Sequence, residues 1–287
     1  MSDIQQDVSP PAFVTAIENN LFDFLPLFGL LPHAEVHDGP ELLWSLTTIP
    51  FPLFNSILRT NLTPDGVDNA IEAAIARGKA RNVPMLWWTG PATRPADLGL
   101  VLEAHGFARQ DDAPGMALDL LSLREDVPTP PGFTIEKVND LEALKQWRHP
   151  FAVGFGMPGF AVDALMDLFE RISFGEQLPL HHYIGRLHGE PVAAGSVYLG
   201  AGVAGIYNVV TVPEARRQGI GALITLALLR EALATGYRIG ILHTSKMGLN
   251  VYRQLGFQEY CTINEYLWLP EPQTSATDPP SSLTRKS

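Results

Sequence analysis

The stretch from Ile206 to Thr235, IYNVVTVPEARRQGIGALITLALLREALAT, limits the folds open to this chain more than any other. Its first part, Ile206 to Val212, is apolar and β-branched, the composition of a buried strand. Pro213 has no backbone N–H to give a sheet ladder and ends the run. A basic, glycine-rich turn follows, Arg216-Arg217-Gln218-Gly219-Ile220-Gly221. From Ala222 the chain is rich in Leu and Ala, without a breaker until Gly236, which is the pattern of a buried helix. Strand, glycine turn and helix together form an anion site. The free N–H groups of the first helical turn point at a ligand, and the glycines let its oxygens approach the backbone.

Three glycine-loop classes compete for this turn. A nucleoside-triphosphatase loop needs Lys and Ser/Thr after its last glycine, whereas Gly221 is followed by Ala222 and Leu223. A dinucleotide fold needs a third glycine and a parallel βαβ unit. Here the strands before the turn, His182 to Leu187, Val192 to Leu199 and Val203 to Val212, are joined by short turns at Gly189 and Gly202 and read as an antiparallel meander. The third class fits. R-R-Q-G-I-G at a strand-to-helix turn, paired with Tyr252-Arg-Gln-Leu-Gly256-Phe257 after a further strand, resembles the two signatures of the GNAT N-acetyltransferase superfamily.

That resemblance covers residues 132–269 and implies an acyl-CoA N-acyltransferase fold of the α/β (α+β) class, a mixed, mostly antiparallel sheet flanked by helices. It implies acetyl-CoA as co-substrate and no metal. Backbone groups around Val210, Thr211 and Val212 are expected to pair with the pantetheine arm. Amides from Arg217, Gln218, Gly219, Ile220, Gly221 and Ala222 would cradle the pyrophosphate, with Arg216 and Arg217 adding positive charge. Tyr252 matches the tyrosine that protonates the departing thiolate in many members, a step open to a phenol of pKa near 10. Many relatives carry an asparagine seven residues earlier; here that position is Ser245.

The general base is not readable. Glu265 on the last strand is one candidate, Glu170 and Glu176 are weaker ones, and His181, His182 and His243 qualify by chemistry alone. Asn208 is neutral and could only position a water. The expected reaction is transfer of an acetyl group to a primary amine, on a small molecule or a peptide. A non-catalytic acyl-CoA-binding or regulatory module on the same fold is the alternative, and transfer to a hydroxyl or thiol lies between the two.

The first half reads as a second, degenerate copy. Residues 1–11 look like a loose tail, and Phe13 to Leu31 a helical segment broken by Pro26. A hairpin follows, with runs at 33–36 and 42–49. Thr63-Pro64-Asp65 starts a helix with Val67, Ala70, Ile71, Ala74 and Ile75 on one face. Met85 to Trp88 is a short strand, 98–105 a helix closed by Gly106-Phe107, and 117–120 a last strand. This order parallels the second half, yet the R-x-x-G-x-G turn is missing, Asp65 is acidic where a pyrophosphate would sit, and Leu102 stands at the position of Tyr252. Residues 12–120 are therefore expected to be a GNAT-like domain without a CoA site.

Residues 121–131 are polar and Pro-rich and read as a linker, and 270–287 as a disordered tail. The stretch F-A-V-G-F-G-M-P-G-F, 151–160, reads either as a mobile lid over an apolar pocket lined by Phe151, Phe155 and Phe160 or as a self-packed loop. A formal net charge of −11 argues against nucleic acid as a partner. The single cysteine, Cys261, excludes an internal disulfide. The polar, acidic N-terminus is unlike a signal peptide, and no apolar run approaches the roughly 18 residues of a membrane span. The expected location is the cytoplasm, without membrane contact.

Overall fold

The computed structural model describes residues 3–174 and 178–271. In chain order the first half contains α1 (Pro10–Phe24), β1 (Glu35–Asp38), β2 (Leu42–Leu46), β3 (Ser56–Thr60), α2 (Val67–Arg81), β4 (Met85–Thr89), α3 (Leu98–Ala104), β5 (Ala108–Arg109) and β6 (Ala113–Asp119). The second contains β7 (Phe133–Lys137), α4 (Leu141–Phe155), α5 (Gly159–Ile172), β8 (Leu180–Leu187), β9 (Glu190–Gly200), β10 (Val203–Thr211), α6 (Ile220–Ala234), β11 (Ile239–His243), α7 (Leu249–Leu255) and β12 (Gln258–Trp268).

All of these strands join one sheet in the order β1-β2-β3-β4-β12-β6-β11-β10-β9-β8-β7, with β5 beside β12. Each half contributes an antiparallel run ending in a parallel pair, β3 with β4 and β10 with β11. The halves then exchange their last strands. β6 from the first half pairs with β11, and β12 from the second pairs with β4, while β6 and β12 pair with each other at the centre. The two halves of the chain thus share one hydrogen-bonded sheet. The 121–131 linker is tied down: Arg124 N–H donates to Leu255 O at 3.1 Å and Glu125 pairs with Arg230 at 2.6 Å.

Three apolar clusters fill the two faces. One face is covered by α1, α4 and α5. The opposite face is covered by α6 and α7 over the second half and by α2 and α3 over the first. Helix α6 is buried almost all round, as its Leu- and Ala-rich sequence requires. Helix α1 starts at Pro10, inside the expected loose tail, because Pro10 and Pro11 occupy first-turn positions that need no N–H partner. Before it, Gln5 N–H donates to Gly202 O at 3.0 Å. Phe13, Ile17, Leu21 and Phe24 form its buried stripe. Although it belongs to the first half, α1 lies across β9, β10, β11, β6 and β12.

The 151–160 stretch is neither lid nor loop. Helix α4, capped by Asp140 Oδ1 accepting from Ala143 N–H at 2.8 Å, runs on through Pro150 to Phe155, and Gly156 ends it in a left-handed conformation. The glycine at 154 serves close packing, because a Cβ there would come within 1.9 Å of Val210 Cγ2. Phe151 is buried beside Trp147, whereas Phe155 and Phe160 are half exposed. Strand β3 is a further element that the sequence did not disclose, since five residues interrupted by Ser56 and Arg59 show no clear alternation. The tail from residue 272 and Glu176 lie outside the described residues. No helix among those described is long and apolar enough to cross a membrane.

Candidate acyl-donor and acceptor site

Strands β10 and β11 pair only over Ala204–Ile206 and Gly240–Leu242. Beyond that level they part. β10 stays with β9 through a bulge after Tyr207, where Asn208 takes φ 57°, and β11 stays with β6 as far as His243 opposite Gly115. The result is a cleft walled by Tyr207–Thr211 on one side and by His243–Ser245 on the other. Val212 N–H is spent on Val192 O at 2.9 Å, and Val210 and Thr211 pair in register with Ala194 and Ala193. Backbone groups alternate along a strand, so of the three expected residues it is Thr211 that turns to the open edge. Its carbonyl accepts from Arg216 Nε at 3.1 Å. Arg216 also reaches Gly154 O at 3.5 Å, which makes it a brace of the cleft rim as well as a positive charge.

At the end of β10 the chain wraps into the glycine turn. Arg217 (φ 63°) and Gly219 (φ 79°) are both left-handed, which curls the backbone so that successive N–H groups converge. Leu223 N–H donates to Gly219 O at 3.1 Å, so the amides of Ile220, Gly221 and Ala222 precede the α6 ladder. A Cβ on Gly221 would meet only Thr211 Oγ1, at 3.9 Å; its α-carbon faces open space. Gln218 is exposed, and the Arg217 guanidinium is exposed and unpaired among the described residues. Left-handed turn, helix-start amides and exposed guanidinium together make a nest that suits an anion.

Tyr252 stands on α7, packed against the α6 cluster, its ring edge-on to Phe257 at 6.0 Å. Its hydroxyl has no hydrogen-bond partner among the described residues, and burial pushes its pKa up to about 12. It is a phenol throughout the neutral range. Ser245 is exposed in the turn between β11 and α7; its carbonyl accepts from Gly248 N–H at 3.0 Å, and its hydroxyl has no partner among the described residues.

On the face covered by α1 and α4, the registers align one row of residues across the sheet: His182, Ser196, Tyr207, His243, Gly115 and Cys261. The cleft opens in the middle of this row. Tyr207 and His243 face each other there, ring centroids 6.4 Å apart. Tyr207 donates its hydroxyl to Asn20 Oδ1 on α1 at 2.8 Å, and Asn20 Nδ2 donates to Gly200 O at 2.8 Å. His243 Nε2 is buried with no partner among the described residues, and burial lowers the pKa of its ring to about 4, so it is neutral. Cys261 is packed against Gly115, and burial pushes its thiol up to about 12, which keeps it inert.

The other base candidates separate. His181 lies on the α6 face and binds Glu231 at 2.7 Å, in a cluster with Lys137 that joins β7, β8 and α6. Glu170 is exposed on α5. Glu265 is opposite Trp88, in the part of β12 that pairs with β4, with β6 and β11 between it and the cleft. Its carboxyl has no partner among the described residues, and burial raises its pKa to about 7. Asn20 and Tyr207 were not foreseen. The available signal was an asparagine within the Phe13–Ile17–Leu21–Phe24 stripe, one of two polar residues, with Glu18, that α1 buries.

Residues 141–257 match the model of the acetyltransferase (GNAT) family. No curated protein matches the chain by sequence. Among solved structures, a GCN5-related N-acetyltransferase from Kribbella flavida superposes with a TM-score of 0.68 at 19% identity, over 88% of this chain and 94% of that one. A tandem GNAT protein from the clavulanic acid biosynthesis pathway gives 0.57 at 17% identity, over 89% and 95%. A GCN5-related N-acetyltransferase from Sphaerobacter thermophilus gives 0.59 at 14%, over 94% and 95%. Residues 141–257 are thus a domain of the acetyltransferase (GNAT) family, and the whole chain takes the tandem form of that fold.

Proposed function

We propose that this protein is an acetyl-CoA-dependent N-acetyltransferase acting on a primary amine of a small molecule or peptide, with its one donor site in the second half. The observation that carries the reading is the meeting, at one end of β10, of an open strand edge at Thr211 and the nest of α6 amides. A pantetheine chain needs the first and a pyrophosphate the second. The thioester then lies in the cleft beside Tyr207, Asn208 and His243.

The amine lone pair attacks the thioester carbon, forming the C–N bond and an oxyanion. Collapse of this intermediate breaks the C–S bond and releases the thiolate, which takes the Tyr252 hydroxyl proton. His243 is the neutral group at the cleft whose free Nε2 can accept the amine proton. Helix α1 gives the acceptor side of the cleft a wall from the first half, through Asn20 on Tyr207.

A coenzyme-A-release screen across amines, amino acids, peptides and aminoglycosides tests the reading directly. Acetyl-CoA-dependent thiol release with at least one amine, and an acetylated product of the expected mass, support it. Binding of acetyl-CoA with no turnover on any amine, alcohol or thiol would instead indicate a binding module.

A further inference from the structure

Behind the cleft runs a buried chain of hydrogen bonds. Ser173 Oγ lies 2.8 Å from His182 Nε2, His182 Nδ1 lies 2.7 Å from Ser196 Oγ, and Asn208 Nδ2 donates to Ser196 Oγ at 3.0 Å. His182 is wholly buried between the rings of Trp147 and Phe169, at 4.9 and 4.7 Å. Burial pushes its pKa down to about 3, so the imidazole is neutral, with one N–H and one lone pair. Ser196 has one proton to give. If it gives that proton to His182 Nδ1, it can only accept from Asn208, and the amide is locked with Nδ2 inward. His182 Nε2–H then donates to Ser173. Asn208 Oδ1 has no partner among the described residues, and Asn208 is the second residue past the last β10–β11 pair. Asparagine is also among the few side chains that tolerate the left-handed backbone of this bulge.

We propose that the Ser173–His182–Ser196 chain holds the Asn208 amide with Oδ1 facing the cleft, where it accepts one N–H of the acceptor amine and selects primary amines. Asn208 touches the substrate; Ser196 and His182 are positioning residues. The inference rests on the amine-acetylation reading and sharpens its substrate class. A primary amine has two N–H groups and a lone pair. One N–H goes to Asn208, the other proton goes to the base, and the lone pair attacks. A secondary amine, an alcohol or a thiol has one hydrogen, which the base must take, leaving Oδ1 unpaired. A site built to hydrogen-bond a group rejects analogues that lack it.

Two measurements test this on the full chain. The ¹⁵N resonances of His182, assigned by their loss in His182→Gln, report its tautomer without any acceptor. The Nε2–H form, unchanged between about pH 5 and 9, is expected. An Nδ1–H form would overturn the proposal, because Ser196 would then be free to donate to Asn208 and turn the amide around. The second uses the best amine from the screen and its N-methyl analogue. Asn208→Gly keeps the left-handed backbone and should raise the amine KM by about tenfold, with the acetyl-CoA KM unchanged. It should also lose most of the preference for the primary amine. Ser196→Ala, which leaves the amide unheld, should do the same to a smaller extent. Undiminished preference in both variants would overturn the proposal. Absence of any amine substrate would overturn the acetylation reading while the tautomer still reports the amide's orientation.

Discussion

Arg94 donates its backbone N–H to Thr60 O at 2.9 Å, closing in the first half, with main chain, a strand edge where in the second half Thr211 O takes the Arg216 side chain instead, at 3.1 Å. Leu62 N–H completes the stitch on Arg94 O at 3.0 Å. The parallel pair β3–β4 holds only over Ser56–Ile57 and Leu86–Trp87, so this half would have its own cleft were it not filled by the segment after β4. A pantetheine chain has no backbone left to pair with there, and the helix start beyond carries Asp65. Calorimetric titration should give one coenzyme A per chain. A stoichiometry of two would refute the closed first half.

Gly221 separates binding from stability. Its missing Cβ points into open space, so Gly221→Val should change the unfolding free energy by no more than about 1 kcal/mol. The same side chain would stand where the pyrophosphate approaches. Coenzyme A affinity should fall by at least about tenfold, as read by titration, a factor worth about 1.4 kcal/mol. Unchanged affinity would move the cradle elsewhere.

Tyr252→Phe removes one hydroxyl that has no partner among the described residues, so folding and coenzyme A binding should survive. If that hydroxyl protonates the thiolate, kcat should drop by about a hundredfold. Because burial holds the phenol at about 12, the wild-type rate should show no loss from tyrosine ionisation up to about pH 10. Full turnover in the variant would remove Tyr252 from the reaction.

Glu265 should tune stability rather than catalysis. Its pKa is higher in the folded chain, about 7, than in the unfolded one, so the folded state holds its proton more tightly. Its contribution is therefore most favourable below the unfolded value near 4 and is lost as pH rises through about 7. Glu265→Gln should be stabilised over wild type by about 2 kcal/mol near pH 8.5 and by almost nothing near pH 4, in urea melts. A variant that kept its fold but lost turnover would reinstate Glu265 as the base.

Asn20 joins the halves. Asn20→Ala would strand the Gly200 carbonyl and the Tyr207 hydroxyl in a buried site and should cost about 2–3 kcal/mol in denaturant melts. A loss under about 0.5 kcal/mol would mean that water replaces the amide.

The strand, glycine turn and helix were legible because their information is local. A strand end, two left-handed residues and a helix start follow one another from Thr211 to Ala222, within twelve consecutive positions. The Tyr252–Phe257 motif is equally short-range. Where local signals served another purpose they misled. Gly154 and Gly156 looked like loop glycines, yet the first admits Val210 into a helix face and only the second ends that helix.

The sequence by itself determined the strand–turn–helix and the antiparallel meander before it, because each depends on neighbours along the chain. Only the tertiary structure decided the acceptor side. The exchange of β6 and β12 and the passage of α1 over the cleft are set by burial of apolar surface shared between the halves. The row from His182 to Cys261 is set by strand register, and register places residues about 4.8 Å apart that lie many tens of positions apart in sequence. Side-chain spacing along one strand carries no record of which strand will lie beside it.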